Sequence, residues 1–193
     1  MIARNVALVA AFMLAGCAAP SFENLDKNAA VIAPGLVFQV ASLQAPAKDA
    51  NVAQQIVAHF RDQTYAFDVQ IQISPQELDL AALDGMGRRA LTVNWKPGAI
   101  DASAAPWLPP FVRPADILTD IAIVYWPDDA LKSSFANSGV TIAEDSGSRK
   151  LIARKRNVVV VTYGDGEGWN RSAKFKNLAL GYEIDIQSAE LPP

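Results

Sequence analysis

The feature that most constrains the fold is a strict alternation of apolar and polar side chains over residues 65–73. A period of two puts side chains of one kind on one face of an extended strand. The apolar members are Tyr65, Phe67, Val69, Ile71 and Ile73. The pattern therefore predicts a half-buried antiparallel strand, and it is the clearest strand signal in the chain.

Further strand-like segments occur on both sides of this one, separated in part by turn signals. The stretch Asp84-Gly85-Met86-Gly87 predicts a hairpin turn, because glycine tolerates the positive φ of a tight turn. Gly164-Asp165-Gly166-Glu167-Gly168 and Arg156-Asn157 indicate later turns. The predicted strands are residues 36–40, 55–60, 65–73, 78–83, 89–95, 150–154, 157–163, 172–175 and 180–186.

A helical insert interrupts the strands. Pro114 suits a first helical turn, where its missing N–H costs nothing, and Asp116 favours the positive N-terminal end. Apolar side chains follow at spacings of three and four, which predicts a helix over residues 114–126. A second short helix starts at Pro127 and stops at Asn137-Ser138-Gly139. The predicted fold class is mainly β with a helical insert (α+β), as one curved antiparallel sheet with helices against its concave face.

The N-terminus has the layout of a lipoprotein export signal. Arg4 supplies positive charge, an apolar run follows over residues 6–13, and Leu14-Ala15-Gly16 precedes Cys17, the only cysteine. The run is too short to span a bilayer, which needs about 20 apolar residues. The arrangement resembles the lipobox of bacterial lipoproteins, in which the cysteine takes a diacylglycerol thioether. An ordinary signal peptide with an incidental cysteine is the alternative.

This resemblance predicts residues 1–16 as the signal peptide, 17–34 as a lipidated N-terminus with a flexible tether, and 35–193 as a single domain. Two or more acyl chains hold a protein stably on a membrane. Ala18 follows the cysteine where an aspartate would direct inner-membrane retention, so the implied location is the outer membrane, facing the periplasm. With Cys17 acylated no disulfide is available, and we expect the core to hold the fold.

Charge and motifs argue against nucleic-acid binding and catalysis. The formal net charge is −3 with opposite charges interspersed, whereas a nucleic-acid groove needs a basic face. His59 is the only histidine, and neither a nucleophile elbow nor metal-ligand spacing occurs. We therefore expect no catalytic residue, metal or cofactor.

Five basic residues lie close together late in the chain: Arg149, Lys150, Arg154, Lys155 and Arg156. Two roles are predicted for this basic group. It binds anionic headgroups or an acidic carrier protein, or it is a solvated edge strand whose charges prevent further pairing.

One long segment resembles the signature of an uncharacterised bacterial lipoprotein family. It is Leu108-Pro109-Pro110-Phe111-Val112-Arg113-Pro114-Ala115-Asp116-Ile117-Leu118-Thr119-Asp120, followed by Tyr125-Trp126-Pro127 and Leu131. Members are similar to the LolB-type outer-membrane lipoprotein receptor, a likeness that covers most of residues 30–190, and their genes often lie beside those for aryl polyene or fatty-acid-like synthesis. The resemblance implies a LolA/LolB-like incomplete β-barrel with a helical lid, a hydrophobic cavity for acyl chains, and a periplasmic LolA-like carrier as partner.

The implied cavity needs apolar walls, although the same side chains also suit a packed core. Burying each CH₂ of an acyl chain is worth about 0.8 kcal/mol, so an apolar cavity is enough to hold one. The predicted cavity residues are Phe38, Phe60, Phe67, Val69, Ile71, Leu91, Val93 and Trp95 on the strands, with Ile117, Leu118, Ile121 and Tyr125 on the helix.

The cavity mouth, or a membrane contact, is predicted at the proline-stiffened loop 105–111 and at the hairpin turn, where the Lol receptor carries a protruding hydrophobic loop. A staple onto the helix start is the alternative for the proline loop. The candidates are Met86, Trp107, Leu108 and Phe111.

Arg113 is a candidate ligand for a phosphate or carboxylate headgroup, although pairing with Asp116 or Asp120 is the commoner arrangement. The sequence thus predicts an outer-membrane lipoprotein that binds acyl or polyene-like lipid or lipoprotein cargo and passes it on without a covalent step. An envelope assembly protein that binds another protein through a sheet edge or the proline loop is the alternative. A lipid-modifying enzyme is a third.

Overall fold

The computed structural model describes residues 26–44, 48–109, 112–135 and 138–192. In these ranges twelve strands and two α-helices follow one another, with a short 3-10 turn at Val40–Ser42. The strands before the helices are β1 (Ala29–Ala33), β2 (Leu36–Gln39), β3 (Ala50–Phe60), β4 (Gln63–Ser74), β5 (Glu77–Asp84), β6 (Arg89–Lys96) and β7 (Ala99–Ala104). The helices are α1 (Pro114–Tyr125) and α2 (Asp128–Ser134), and the later strands are β8 (Val140–Asp145), β9 (Ser148–Ala153), β10 (Arg156–Glu167), β11 (Asn170–Asn177) and β12 (Tyr182–Glu190).

Ten strands form one antiparallel sheet in the order β7-β6-β5-β4-β3-β12-β11-β10-β9-β8. β3 pairs with β4 on one side and with β12 on the other, so the early and late parts of the chain meet at the centre. The sheet is curved and not closed into a barrel. The predicted class, mainly β with a helical insert, is confirmed.

The alternation in β4 produces the expected two-sided strand. Val69 and Ile71 face the core and are 3% and 1% exposed, whereas Gln70 and Gln72 are exposed on the other face. The predicted hairpin is also present, since β5 and β6 pair across the turn at residues 85–88. The concave face of the sheet is thus the apolar face.

The α1 helix lies inside this concave face. It starts at Pro114 as predicted, with Asp116 in its first turn. Residues 118–124 are all buried, so the helix is covered around its whole circumference. It contacts β6, β7 and β11 of the sheet and β1 of the separate β1–β2 hairpin. The helix is therefore a central layer between sheet and hairpin.

The predicted tether is too long at its C-terminal end. Residues 29–33 form β1, and four of the five are buried. Asn177 donates its side-chain amide to the Ile32 carbonyl at 3.0 Å, and Arg113 donates to the Ala29 carbonyl at 2.9 Å. These bonds attach β1 to the domain. The small apolar side chains of β1 also pack against α1, so the strand is part of the folded core. The predicted signal peptide and Cys17 lie outside the described residues. Among the residues that are described, no helix is long and apolar enough to cross a membrane.

Two predicted turns are shifted in the structure. The strand β10 continues to Glu167 because a bulge between Tyr163 and Gly166 absorbs the first glycines, and the β10–β11 turn lies at Gly168 and Trp169. The β9–β10 turn lies at Arg154 and Lys155, which both have positive φ, so residues 156 and 157 belong to β10.

Candidate functional site

One end of the sheet carries most of the exposed apolar surface. The β3–β4 hairpin, the β5–β6 turn, the β11–β12 turn and the loop after β7 all lie at this end. Five large apolar side chains are exposed in the described parts of the chain, and all but Leu191 are here. With the half-buried Phe60 and Phe67 they form what we call the apolar rim: Phe60, Phe67, Leu83, Met86, Trp107 and Leu178.

The rim is ordered by the β5–β6 turn. Asp84 accepts hydrogen bonds from the backbone N–H groups of Met86 at 3.0 Å and Arg88 at 2.8 Å. Its other carboxylate oxygen accepts from Arg88 Nε at 2.8 Å, and the Arg88 guanidinium lies over the Trp107 ring at 4.8 Å. The turn thereby presents Met86 outward, 73% exposed, and links it to the loop that carries Trp107.

The predicted mouth residues are thus only partly brought together. Met86 and Trp107 meet at the rim through Arg88. Leu108 is 7% exposed and belongs to the core, which agrees with the alternative that this loop packs inward. Phe111 lies outside the described residues. The linking role of Arg88 was missed, because nothing in a charged residue beside a glycine turn indicates a ring contact with a later loop.

The interior differs from the predicted cavity. A side chain with almost no accessible area borders no space as large as a water molecule, so it is packed on all sides. The helix α1 and the β1–β2 hairpin occupy the space that the resemblance assigned to an acyl chain. The prediction of an open cavity is therefore wrong in this structure at eight residues, none more than 3% exposed: Phe38, Val69, Ile71, Leu91, Val93, Trp95, Leu118 and Ile121.

The other four predicted cavity residues are half-buried. Phe60 and Phe67 belong to the apolar rim, and Ile117 and Tyr125 lie on α1. Tyr125 stacks on Trp169 with ring centroids 4.1 Å apart, in a nearly parallel arrangement.

Two carboxyl groups lie within the interior on successive turns of α1. Asp120 is 6% exposed and accepts from the Tyr182 hydroxyl. Burial raises the pKa of Asp120 well above its usual range, although the bond from Tyr182 lowers it. Burial raises the pKa of Asp116 to about 6, against the opposing effects of Arg113 and of the Val31 amide. The helix therefore brings poorly solvated carboxyls into an apolar core.

Arg113 is engaged within the fold. Its guanidinium donates to the carbonyls of Asp26 at 3.0 Å and Ala29 at 2.9 Å, and it lies 3.8 Å from the Asp116 carboxylate. The pairing with Asp116 that the sequence allowed is present, whereas Asp120 pairs with Tyr182 instead. The prediction of a headgroup ligand has no support from this geometry.

The basic group is divided by the structure. Arg149 is 4% exposed and donates to the carbonyls of Ile123 at 2.6 Å and Trp126 at 2.8 Å, at the end of α1. It also forms ion pairs with Glu144 at 2.8 Å and Asp128 at 3.4 Å. For Arg149 neither predicted role fits, since its side chain is buried and β8, not β9, is the edge strand. Arg154, Lys155 and Arg156 are exposed. Arg149 anchors the C-terminal end of α1.

The described residues hold no group of three or more His, Cys, Asp or Glu side chains placed to bind a metal ion. His59 lies on the outer face of β3, 3.2 Å from the Thr64 hydroxyl and 3.5 Å from the Asp185 carboxylate. Both contacts are solvent-exposed.

Fold and site together define an open, curved antiparallel sheet wrapped around a buried helix, with an apolar rim at one end. This mainly β architecture is compatible with a LolB-like lipoprotein. The model of a family described as "Protein of unknown function (DUF3261)" matches residues 51–190, from β3 to the end of β12. The chain belongs to this family. A search of curated proteins finds no match to the chain.

Proposed function

We propose that this protein is an outer-membrane lipoprotein that binds acyl or polyene-like lipid or lipoprotein cargo at its apolar rim and passes it on without a covalent step. The apolar rim carries the proposal. Apolar patches on a protein surface are characteristic of contacts with lipid or with another protein. Here Met86 is 73% and Leu178 55% exposed at the same end of one sheet.

A gradient of burial leads from the rim into the core. Along the inner face of β4, Tyr65 and Phe67 are half-buried, Val69 is 3% exposed and Ile71 is 1% exposed. An acyl chain that enters at the rim meets an apolar surface along its whole length. Each CH₂ that it buries contributes about 0.8 kcal/mol.

The helix α1 occupies the deeper part of this path, and its own composition favours exchange. Asp116 and Asp120 are poorly solvated inside the sheet, and burial of a carboxyl group disfavours its charged form. Movement of α1 towards solvent returns both carboxyls to water, while cargo covers the apolar strands in place of the helix. The closed structure is then the empty state, with α1 as the group that cargo displaces.

A fluorescent fatty acid tests the proposal. The chain from residue 18 onward keeps every described residue and should bind the probe, with binding weakened about tenfold or more by Met86→Ser combined with Trp107→Ser. Leu191→Ser is the matched control, because Leu191 is 43% exposed at the opposite end of the sheet. An unmodified protein that takes up no probe, or equal losses in the rim and control variants, would contradict the proposal.

Anchorage and the donor belong to the same proposal. Acylation of Cys17 places the domain at the inner leaflet of the outer membrane, where a periplasmic LolA-like carrier delivers cargo. Cys17→Ser should move the protein from the membrane fraction to the soluble periplasmic fraction. Mass spectrometry of the membrane-extracted protein should show both the acylated N-terminus and a co-purifying lipid.

A further inference from the structure

The strand β7 lies at an edge of the sheet, and no described strand pairs with the side of it that faces away from β6. It pairs with β6 in a regular register without a bulge, so its amide groups point alternately towards β6 and away from it. The Ala105 N–H, next after the strand, donates to the Ala90 carbonyl, whereas the Ile100 N–H donates to the Asn28 side-chain oxygen at 3.2 Å. These two bonds show which residues of β7 face β6 and which face away from it. Ala102 and Ala104 direct both their N–H and C=O groups away from β6, to the free edge.

This edge carries little of the usual protection against a further strand. Native edge strands are blocked by charged side chains, lysine above all, and by proline, bulges or covering loops. Of these, β7 has the single charge of Asp101. The strand Ala99–Ala104 has the sequence AIDASA, and residues 101–104 are all exposed. The opposite edge strand β8 ends in Glu144 and Asp145, and Glu144 is tied to Arg149. The two edges of the sheet therefore differ in their readiness to pair.

A concavity lies on each face of β7. One, of about 340 Å³, separates the strand from the start of α1. Its charged lining residues are Lys27, Asp101 and Arg113, and the others are Ile100, Ala102, Ala104, Pro114 and Ala115. The other, of about 440 Å³, lies on the outer face and is lined by polar side chains that include Thr92, Asn94, Asp101 and Ser103. A strand added to β7 would direct alternate side chains towards these two spaces.

The geometry points to β7 as a docking site for an extended segment of a partner protein, which adds as an eleventh strand and places an acidic side chain towards Lys27. Lys27 is exposed and has no ion pair within the described residues. It lies on the wall of the inner concavity with Arg113 and Asp101, and Arg113 is already paired with Asp116. Lys27 is therefore the cation of this wall without an ion pair in the described structure. Backbone pairing supplies the affinity and the charge supplies the selection. This site is independent of the apolar rim.

Amide hydrogen exchange measured by NMR on the full chain in detergent micelles tests the site. The probe is an acetylated and amidated nine-residue peptide of alternating threonine and valine with a central glutamate. Saturating peptide should slow exchange of the Ala102 and Ala104 amides by about tenfold or more, because they become bonded. The Asp101 and Ser103 amides face β6 already and should not change.

Variants separate edge pairing from other modes of binding. Ala102→Pro removes an outward N–H without touching the β6 ladder and should weaken peptide binding about tenfold. Val140→Pro, at the first residue of β8, is the matched change on the other edge and should leave binding unchanged. A peptide with central lysine should bind more weakly than the glutamate peptide.

Three results would overturn the assignment. Unchanged exchange at Ala102 and Ala104 with bound peptide would remove β7 from the interface. Equal binding of the lysine peptide would remove the acidic partner. A peptide-free dimer whose Ala102 and Ala104 amides are already protected would identify a second copy of this chain as the occupant. None of these results depends on fatty-acid uptake at the rim.

Discussion

The Tyr182 hydroxyl lies 2.9 Å from each carboxyl oxygen of Asp120, in the interior between β12 and α1. Burial raises the pKa of both groups well above their usual ranges, and the nearby Asp116 raises that of Asp120 further. Burial thus favours the neutral form of both side chains. The contact joins the helix to the centre of the sheet through two buried polar groups.

The two carboxyls of α1 should make stability fall as pH rises. The pKa of Asp116 is about 6 in the folded protein against 3.8 as a free side chain, so the folded state binds more protons between these values. Stabilisation is complete below about pH 4 and is lost as pH rises through about 6. Asp116→Asn should therefore gain stability relative to the unmodified protein between pH 4.5 and 7.5, by up to about 3 kcal/mol.

Urea denaturation at the two pH values measures this difference. Asp101→Asn is the control, because Asp101 is an exposed carboxylate on β7 that has no ion pair in the described structure. It should show the same pH dependence as the unmodified protein. Identical pH dependence of Asp116→Asn and Asp101→Asn would show that Asp116 is solvated like a surface group.

Replacement of Arg149 should destabilise the protein strongly. Arg149→Met leaves the carbonyls of Ile123 and Trp126 without a donor and Glu144 without its ion pair. Loss of one partner from a buried charged network costs about 3–5 kcal/mol. The change should appear in the urea midpoint. Lys150→Met alters the next residue, whose side chain points to the other face, and should stay within about 0.5 kcal/mol.

Gly166 should tolerate no side chain. Its φ is +100°, and a Cβ atom would lie 1.7 Å from the Asn170 carbonyl oxygen across the bulge. Gly166→Ala should lower the free energy of unfolding by more than about 2 kcal/mol. Gly168→Ala separates strain from collision, since its φ is +57° with open space around the Cβ position. That variant should cost only about 1 kcal/mol.

The strands that sequence patterning found are those with one buried face. The strand β4 shows this, since Val69 and Ile71 point inward between exposed glutamines. Patterning missed β7, where Ile100 is the only buried residue and the rest are small and exposed. An edge strand forms because a neighbouring strand pairs with its backbone, and backbone pairing requires no particular side chains in the edge strand. The strand β1 was missed for a related reason, because alanine does not indicate a strand.

The candidate site was predictable only in pieces. Met86 and Trp107 were each predicted as apolar contacts on separate loops, and the structure joins them through Arg88. The burial of Arg149 was not predictable, because its partners are carbonyl groups at the end of a helix more than twenty residues earlier. Contacts of that kind depend on where the helix ends in space.

By itself the sequence determined the class of the fold: the period-two strands, the helix that begins at Pro114, and an apolar face that needs a covering layer. These are local properties, since side-chain spacing along a strand or helix decides which face is apolar. Only the tertiary structure decided what covers that face. A row of apolar side chains is equally satisfied by a helix, a hairpin or a hydrocarbon chain, because removal of apolar area from water does not depend on the partner. In this fold α1 and the β1–β2 hairpin take that place, and the apolar rim is where their cover ends.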